Sequence, residues 1–224
     1  MGQVVSGLLP LALGVAISPI PIIAVILMLL ARTAGGTGAG FVAGWVVGIA
    51  GATTVVRLLA DTLGQGGSDE PSAAASWVEL GLGVLLVGLA VQQWRSRPTR
   101  GSEPALPKWM AAIDRFTAVK AAGLGLALSA LNPKNLLLCI AAGAAVADGG
   151  LSAVQDVWSV VVFTAIAAST VVLPVVAYTV GRKRMAGPLE SLRTWLTAHG
   201  VTVMATLLLV IGAVLIGQGL GGMV

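Results

Sequence analysis

Six apolar runs divide this chain, at about 7–31, 37–60, 77–94, 118–147, 155–180 and 200–218, with stretches rich in Gly, Ser, Asp and Pro between them. Each is close to, or above, the ~20 residues a helix needs to cross a ~30 Å hydrocarbon core. Lipid offers no partner to backbone N–H and C=O groups, so a crossing segment must satisfy them internally, and runs of this length do so as helices. Composition agrees: 57% of the 224 residues are hydrophobic and 10% are charged, where a soluble domain carries about 25% charged residues. The expectation is an all-α, multi-pass integral membrane protein forming a single membrane domain over 1–224. MGQVVSGLLP lacks a basic n-region and reads as the start of a retained helix.

The charges set the orientation. Eleven of the thirteen Lys and Arg residues fall in odd-numbered loops: Arg32 in the first, Arg95, Arg97, Arg100, Lys108, Arg115 and Lys120 in the third, and Arg182, Lys183, Arg184 and Arg193 in the fifth. Arg57 lies near the end of the second run and Lys134 within the fourth. The even loops and their flanks are acidic, with Asp61, Asp69, Glu70, Glu79, Asp148 and Asp156. Basic loops are retained in the cytoplasm, so the expected location is the cytoplasmic (inner) membrane with both termini outside. The net charge of +4 is thereby a matter of topology and does not imply nucleic acid.

Two of the six runs are interrupted. The first carries Ser18-Pro19-Ile20-Pro21 and the fourth carries Asn132-Pro133-Lys134-Asn135. Proline removes an N–H, clashes with the carbonyl one turn earlier and biases the preceding residue away from helix. Laid over each other, Ser18-Pro19 matches Asn132-Pro133, each in the first span of a three-span half. Three is odd, so the halves point in opposite directions. The fold expectation is six transmembrane helices in two inverted repeats (1–94 and 118–224), joined by a cytoplasmic linker (95–117), with helices one and four broken. Paired broken spans in corresponding halves point to the binding site of a secondary transporter. The candidate substrate-binding residues are therefore Ser18, Pro19, Pro21, Asn132, Pro133, Lys134 and Asn135. A lysine at mid-membrane costs about 2.5–3.5 kcal/mol on insertion scales. Partial deprotonation, an anion brought by a substrate, snorkelling or donation to carbonyls freed by the break would each meet that cost.

Other features read as structural. Gly36, Gly40, Gly44 and Gly48 share one helix face, where a neighbour approaches closely or a homodimer forms. Thr53, Thr54, Ser169 and Thr170 are secondary cavity candidates, and Cys139 packs in an apolar helix. Trp109, Ile113 and Phe116, at i, i+4, i+7, predict a short helix on the cytoplasmic surface over 107–116. The only His, His199, lies near the end of the chain, and no nucleotide loop, HExxH or carboxylate pair occurs. These absences argue against an enzyme and against a metal or cofactor.

LPLALGVAISPIPIIAVILML, FVAGWVVG, LPKWMAAIDRFT, SALNPKN and VMATLLLVIGAVLIGQG resemble the glycolipid-addressing (GAP) family, also called sulfolipid-1-addressing or Sap-like. That family is grouped with the lysine-exporter (LysE) superfamily. The resemblance implies a cytoplasmic-membrane protein that helps to export a product, envelope glycolipids being the cargo of some members. Ser18 stands where some relatives carry an acidic residue. The expectation is an exporter alternating access at a central site between helices one and four. Its partners would be membrane lipids and an anionic or zwitterionic small molecule or lipid-linked substrate. The rival reading is a non-transporting scaffold for envelope glycolipid synthesis.

Overall fold

The computed structural model describes residues 2–31, 34–62, 73–97 and 108–222. Arg32, Asp69, Glu70, Arg100 and Pro107 lie outside the described residues. Within the described residues every regular element is helical: α1 (Gly2–Ala16), α2 (Pro19–Leu30), α3 (Ala34–Thr62), α4 (Ala73–Arg95), a 3₁₀ helix (Lys108–Arg115), α5 (Ala118–Ala130), α6 (Pro133–Ala147) and α7 (Ala153–Gly221). Four stretches are long and apolar enough to cross a membrane: Gly36–Ala60, Ser76–Arg95 and the two arms of α7, Ala153–Arg182 and Arg184–Gly221. Counting each bent pair as one span gives up to six. The chain is thus an all-helical, multi-pass membrane protein. Val47, Leu59, Leu85, Leu173 and Val210 are accordingly exposed on its flanks, where a soluble protein would rarely carry so broad an apolar surface.

The breaks fall where the prolines are. α1 and α2 meet at 54°, and α5 and α6 at 64°. Pro19 and Pro133 each open the second helix of their pair, the position at which a missing N–H costs no intrahelical bond. The residues before them, Ser18 and Asn132, are extended, with ψ of 105° and 120°.

The fifth and sixth apolar runs form two helical arms, as expected, and the basic segment between them is itself helical except at a kink at Gly181 (φ −142°, ψ 52°). The 38-residue second arm is about 57 Å long, well beyond a bilayer core. Its first turns carry the Glu190–Arg193 ion pair.

Glycines fix the closest packings. A Cβ at Gly40 or Gly44 would run into the carbonyl oxygens of Ala118 or Ala122, and one at Gly48 into Ser129 Oγ. The glycine face of α3 is therefore filled from within the chain by α5. Likewise α4 lies against the second arm of α7 at Gly83, where a Cβ would come within 2.8 Å of the Gly212 carbonyl oxygen. Arg57 of α3 and Asp156 of α7 form an ion pair.

A short helix stands within the stretch expected to carry one, over Lys108–Arg115. It winds as a 3₁₀ helix from Lys108, and three residues per turn align Met110, Ile113 and Phe116 in place of Trp109, Ile113 and Phe116. Met110 and Ile113 are buried, with Trp109 and Phe116 partly buried against the core, and the element contacts α2.

Candidate functional site

The two breaks come together at one point. Lys134, at the first turn of α6, reaches 120 residues back along the chain, and its Nζ donates to the Gly14 carbonyl at 2.7 Å. It also donates to Ser18 Oγ. Ser18 does not cap α2; its hydroxyl turns back and donates to the Val15 carbonyl at 2.6 Å. Thr170 Oγ1, from the first arm of α7, donates to the Ala16 carbonyl. The last three carbonyls of α1, which have no helical partner of their own, thus accept from the side chains of Lys134 on α6, Ser18 in the break and Thr170 on α7, and the Ala16 carbonyl also accepts from Ser18 N at 2.9 Å. Lys134 acts here as a distant C-cap, with its charge at the negative end of α1.

The second break satisfies itself. Asn132 Oδ1 accepts from Lys134 N at 3.1 Å, and Asn135 Nδ2 donates to the Leu128 carbonyl at 2.9 Å. Asn135 Oδ1 lies 3.4 Å from Ser18 Oγ, a weaker contact than the serine's bond to Val15.

A cavity of about 310 Å³ opens beside this junction. Of the seven candidate residues, Ser18, Pro19, Pro21, Asn132, Pro133 and Lys134 line it, and Asn135 does not. Asn135 is fully buried, because one residue along a helix turns the side chain by about 100° and points it back to α5. The cavity also contains residues that the sequence reading did not single out. Gln92 and Gln93 come from α4, and Thr197, Gly200 and Met204 from the second arm of α7. The Gln pair could have been noticed: two amides end an apolar run just before Arg95. Gly200 carried no such signal. Its Cα approaches Pro19 so closely that a Cβ would stand 2.7 Å from the proline's.

Chemically, the cavity has a polar floor and an apolar wall that includes Ile23, Leu89, Met204 and Leu208. The helix N-termini of α2 and α6 both face it and favour negative charge. They offer few free donors, because Pro19, Pro21 and Pro133 have no N–H and Lys134 N is already held by Asn132. An ammonium has three donors, and Lys134 spends two on Gly14 and Ser18. The third, with the Gln92 and Gln93 amides, can serve a ligand. Among the described residues no group of three or more His, Cys, Asp or Glu side chains is placed to hold a metal ion.

Residues 8–221 match the family model of Sap, the sulfolipid-1-addressing protein. The chain belongs to this family. The match spans nearly the whole chain, including both broken helix pairs and the cavity between them, and it suggests a role in envelope lipid transport or export. No curated protein and no solved structure matches the chain.

Proposed function

We infer that this Sap-family chain is a secondary-type exporter of an anionic or zwitterionic amphiphile, whether a small molecule or a lipid-linked envelope component. The observation that carries the reading is the cavity itself: two helix N-termini and a lysine converge on one apolar-walled space. Lys134 is the countercharge, the α2 and α6 ends add their dipoles, and Gln92 and Gln93 supply neutral hydrogen bonds. The apolar wall suits the hydrocarbon part of such a molecule.

Alternating access follows from two inverted three-helix repeats, α1 to α4 and α5 to α7. The similar bends of 54° and 64° support that pairing, as does the contact of each broken helix with the other half, α5 with α3 and α1 with α7. The cavity residues Gln92 and Gln93 lie just before Arg95, and Leu196 and Thr197 just after Arg193. By the positive-inside rule the cavity then opens towards the cytoplasm, with both termini outside the inner membrane. This is the loading state of an exporter. Membership of the LysE superfamily would fit the same architecture.

Native mass spectrometry of the detergent-purified protein, wild type beside Lys134→Met, tests the reading. The expected result is an anionic lipid or metabolite that co-purifies with wild type and is lost from the variant. Spectra with the same ligand in both proteins would remove Lys134 from recognition. Under the rival scaffold reading, substitutions in 107–116 should harm activity more than any change at Lys134.

A further inference from the structure

A second cavity, of about 270 Å³, lies at the far end of the helices that line the first. Leu11 of α1, Leu82 of α4, Ala141 of α6 and Leu215 of α7 contribute to it. Each stands seven positions from a residue that lines the first cavity: Ser18, Leu89, Lys134 and Leu208 respectively. Seven helical residues rise about 10 Å and return to nearly the same face. On α4, α6 and the second arm of α7 the two cavities are therefore stacked along one face.

The space between them is filled by a thin layer. Leu86, Leu138 and Ile211 occupy the intermediate positions and are 0%, 0% and 4% exposed. Gly14 of α1 completes the layer, and any side chain there would displace the ends of two of its residues. A Cβ there would meet Ile211 Cδ1 at 2.5 Å and Leu138 Cδ1 at 3.0 Å. The carbonyl of this same glycine accepts the Lys134 ammonium.

We propose that Leu86, Leu138 and Ile211, closing on Gly14, form the gate of a translocation path running from the first cavity to the second, which is its exit vestibule. This rests on the exporter reading and adds to it a route and a coupling. An anion that draws Lys134 into the first cavity competes with the Gly14 carbonyl for the ammonium. It thereby releases the last turn of α1, which is one wall of the gate. The vestibule beyond carries Glu79 and Asp148, so an anionic headgroup arriving there meets like charge and leaves.

The test needs no identified cargo. Cys139 is the only cysteine, and in a Cys139→Ala background Leu215→Cys places one thiol in the vestibule. Inverted membrane vesicles present the Arg95 and Arg193 end to a membrane-impermeant methanethiosulfonate reagent. With the layer intact, modification should be slow. With Leu138→Ala or Ile211→Ala it should be about tenfold faster or more, the factor that ~1.4 kcal/mol off an opening barrier gives. Ile49→Ala, an equally buried truncation on α3 away from the layer, should leave it slow. Leu86→Ala opens the same layer from α4 and replaces either variant if one does not fold. Equal rates in the gate and Ile49→Ala proteins, or fast modification with the layer intact, would overturn the gate. The readout does not depend on Lys134 binding anything, so a failure of the anion reading shows separately, in the mass spectra.

Discussion

The two broken helices share a proline and a bend, but they are held in different ways. The α5–α6 break is local: Asn132 caps its own helix and Asn135 reaches back seven residues to Leu128. The α1–α2 break has local bonds too, from Ser18 to the Val15 and Ala16 carbonyls, but it is also held from afar, by Lys134 across 120 residues and Thr170 across 154, with Gly200 pressed on Pro19. A self-capped break keeps its shape whatever its neighbours do. A break capped by other elements changes when they move, and one of its caps is the charged group facing the cavity. In these terms the second break is the fixed member of the pair and the first is the responsive one.

That contrast can be broken experimentally. The largest effect is expected for Lys134→Met, which removes both the cavity charge and a cap of α1. Loss of a charged hydrogen bond, about 1.5–3 kcal/mol, should weaken retention of the co-purifying anion roughly ten- to hundredfold. Folding should persist, because a costly buried charge goes at the same time. Unchanged retention by mass spectrometry would mean that Lys134 is a cap and nothing more. Next is Gly200→Val. Its Cβ would stand 2.7 Å from Pro19 Cβ, and overpacking of this kind costs about 1–3 kcal/mol. Thermal unfolding in detergent should register it, and a neutral result would place α7 further from the break.

Smaller effects separate the breaks themselves. Thr170→Val leaves the Ala16 carbonyl without its distant donor, and interhelical bonds in membranes are worth about 0.6–1.7 kcal/mol. Asn132→Ala removes a local cap, at about 1 kcal/mol. The informative comparison is coupling. Thr170→Val should change the exposure of a cysteine placed at Ile20 to a water-soluble thiol reagent, whereas Asn132→Ala should not. If both do so equally, the breaks are equivalent and the contrast fails. Combined, the two substitutions should be additive in stability, since they share no partner; measured non-additivity above about 0.5 kcal/mol would join the breaks into one network.

Much of this architecture was legible beforehand. The apolar runs announced helices in lipid, because backbone groups there have no alternative partner. Pro19 and Pro133 announced the breaks, because proline's covalent structure forbids the ladder wherever it stands. The glycine face at Gly40, Gly44 and Gly48 announced a close packing but not its partner, which turned out to be α5. In the linker, the i, i+4, i+7 pattern announced a short helix, and the helix over Lys108–Arg115 winds as 3₁₀ with Met110 and Ile113 buried.

The sequence by itself determined which segments are apolar helices, where two of them break and which residues at the breaks are polar. These are local consequences of hydropathy and covalent geometry. Only the tertiary structure decided that Lys134 caps Gly14, that Thr170 caps Ala16, that Gln92 and Gln93 join the cavity and that Leu138 and Ile211 close on Gly14. Those contacts link residues far apart in the chain, and their partners are chosen by how the helices pack, which no local pattern records.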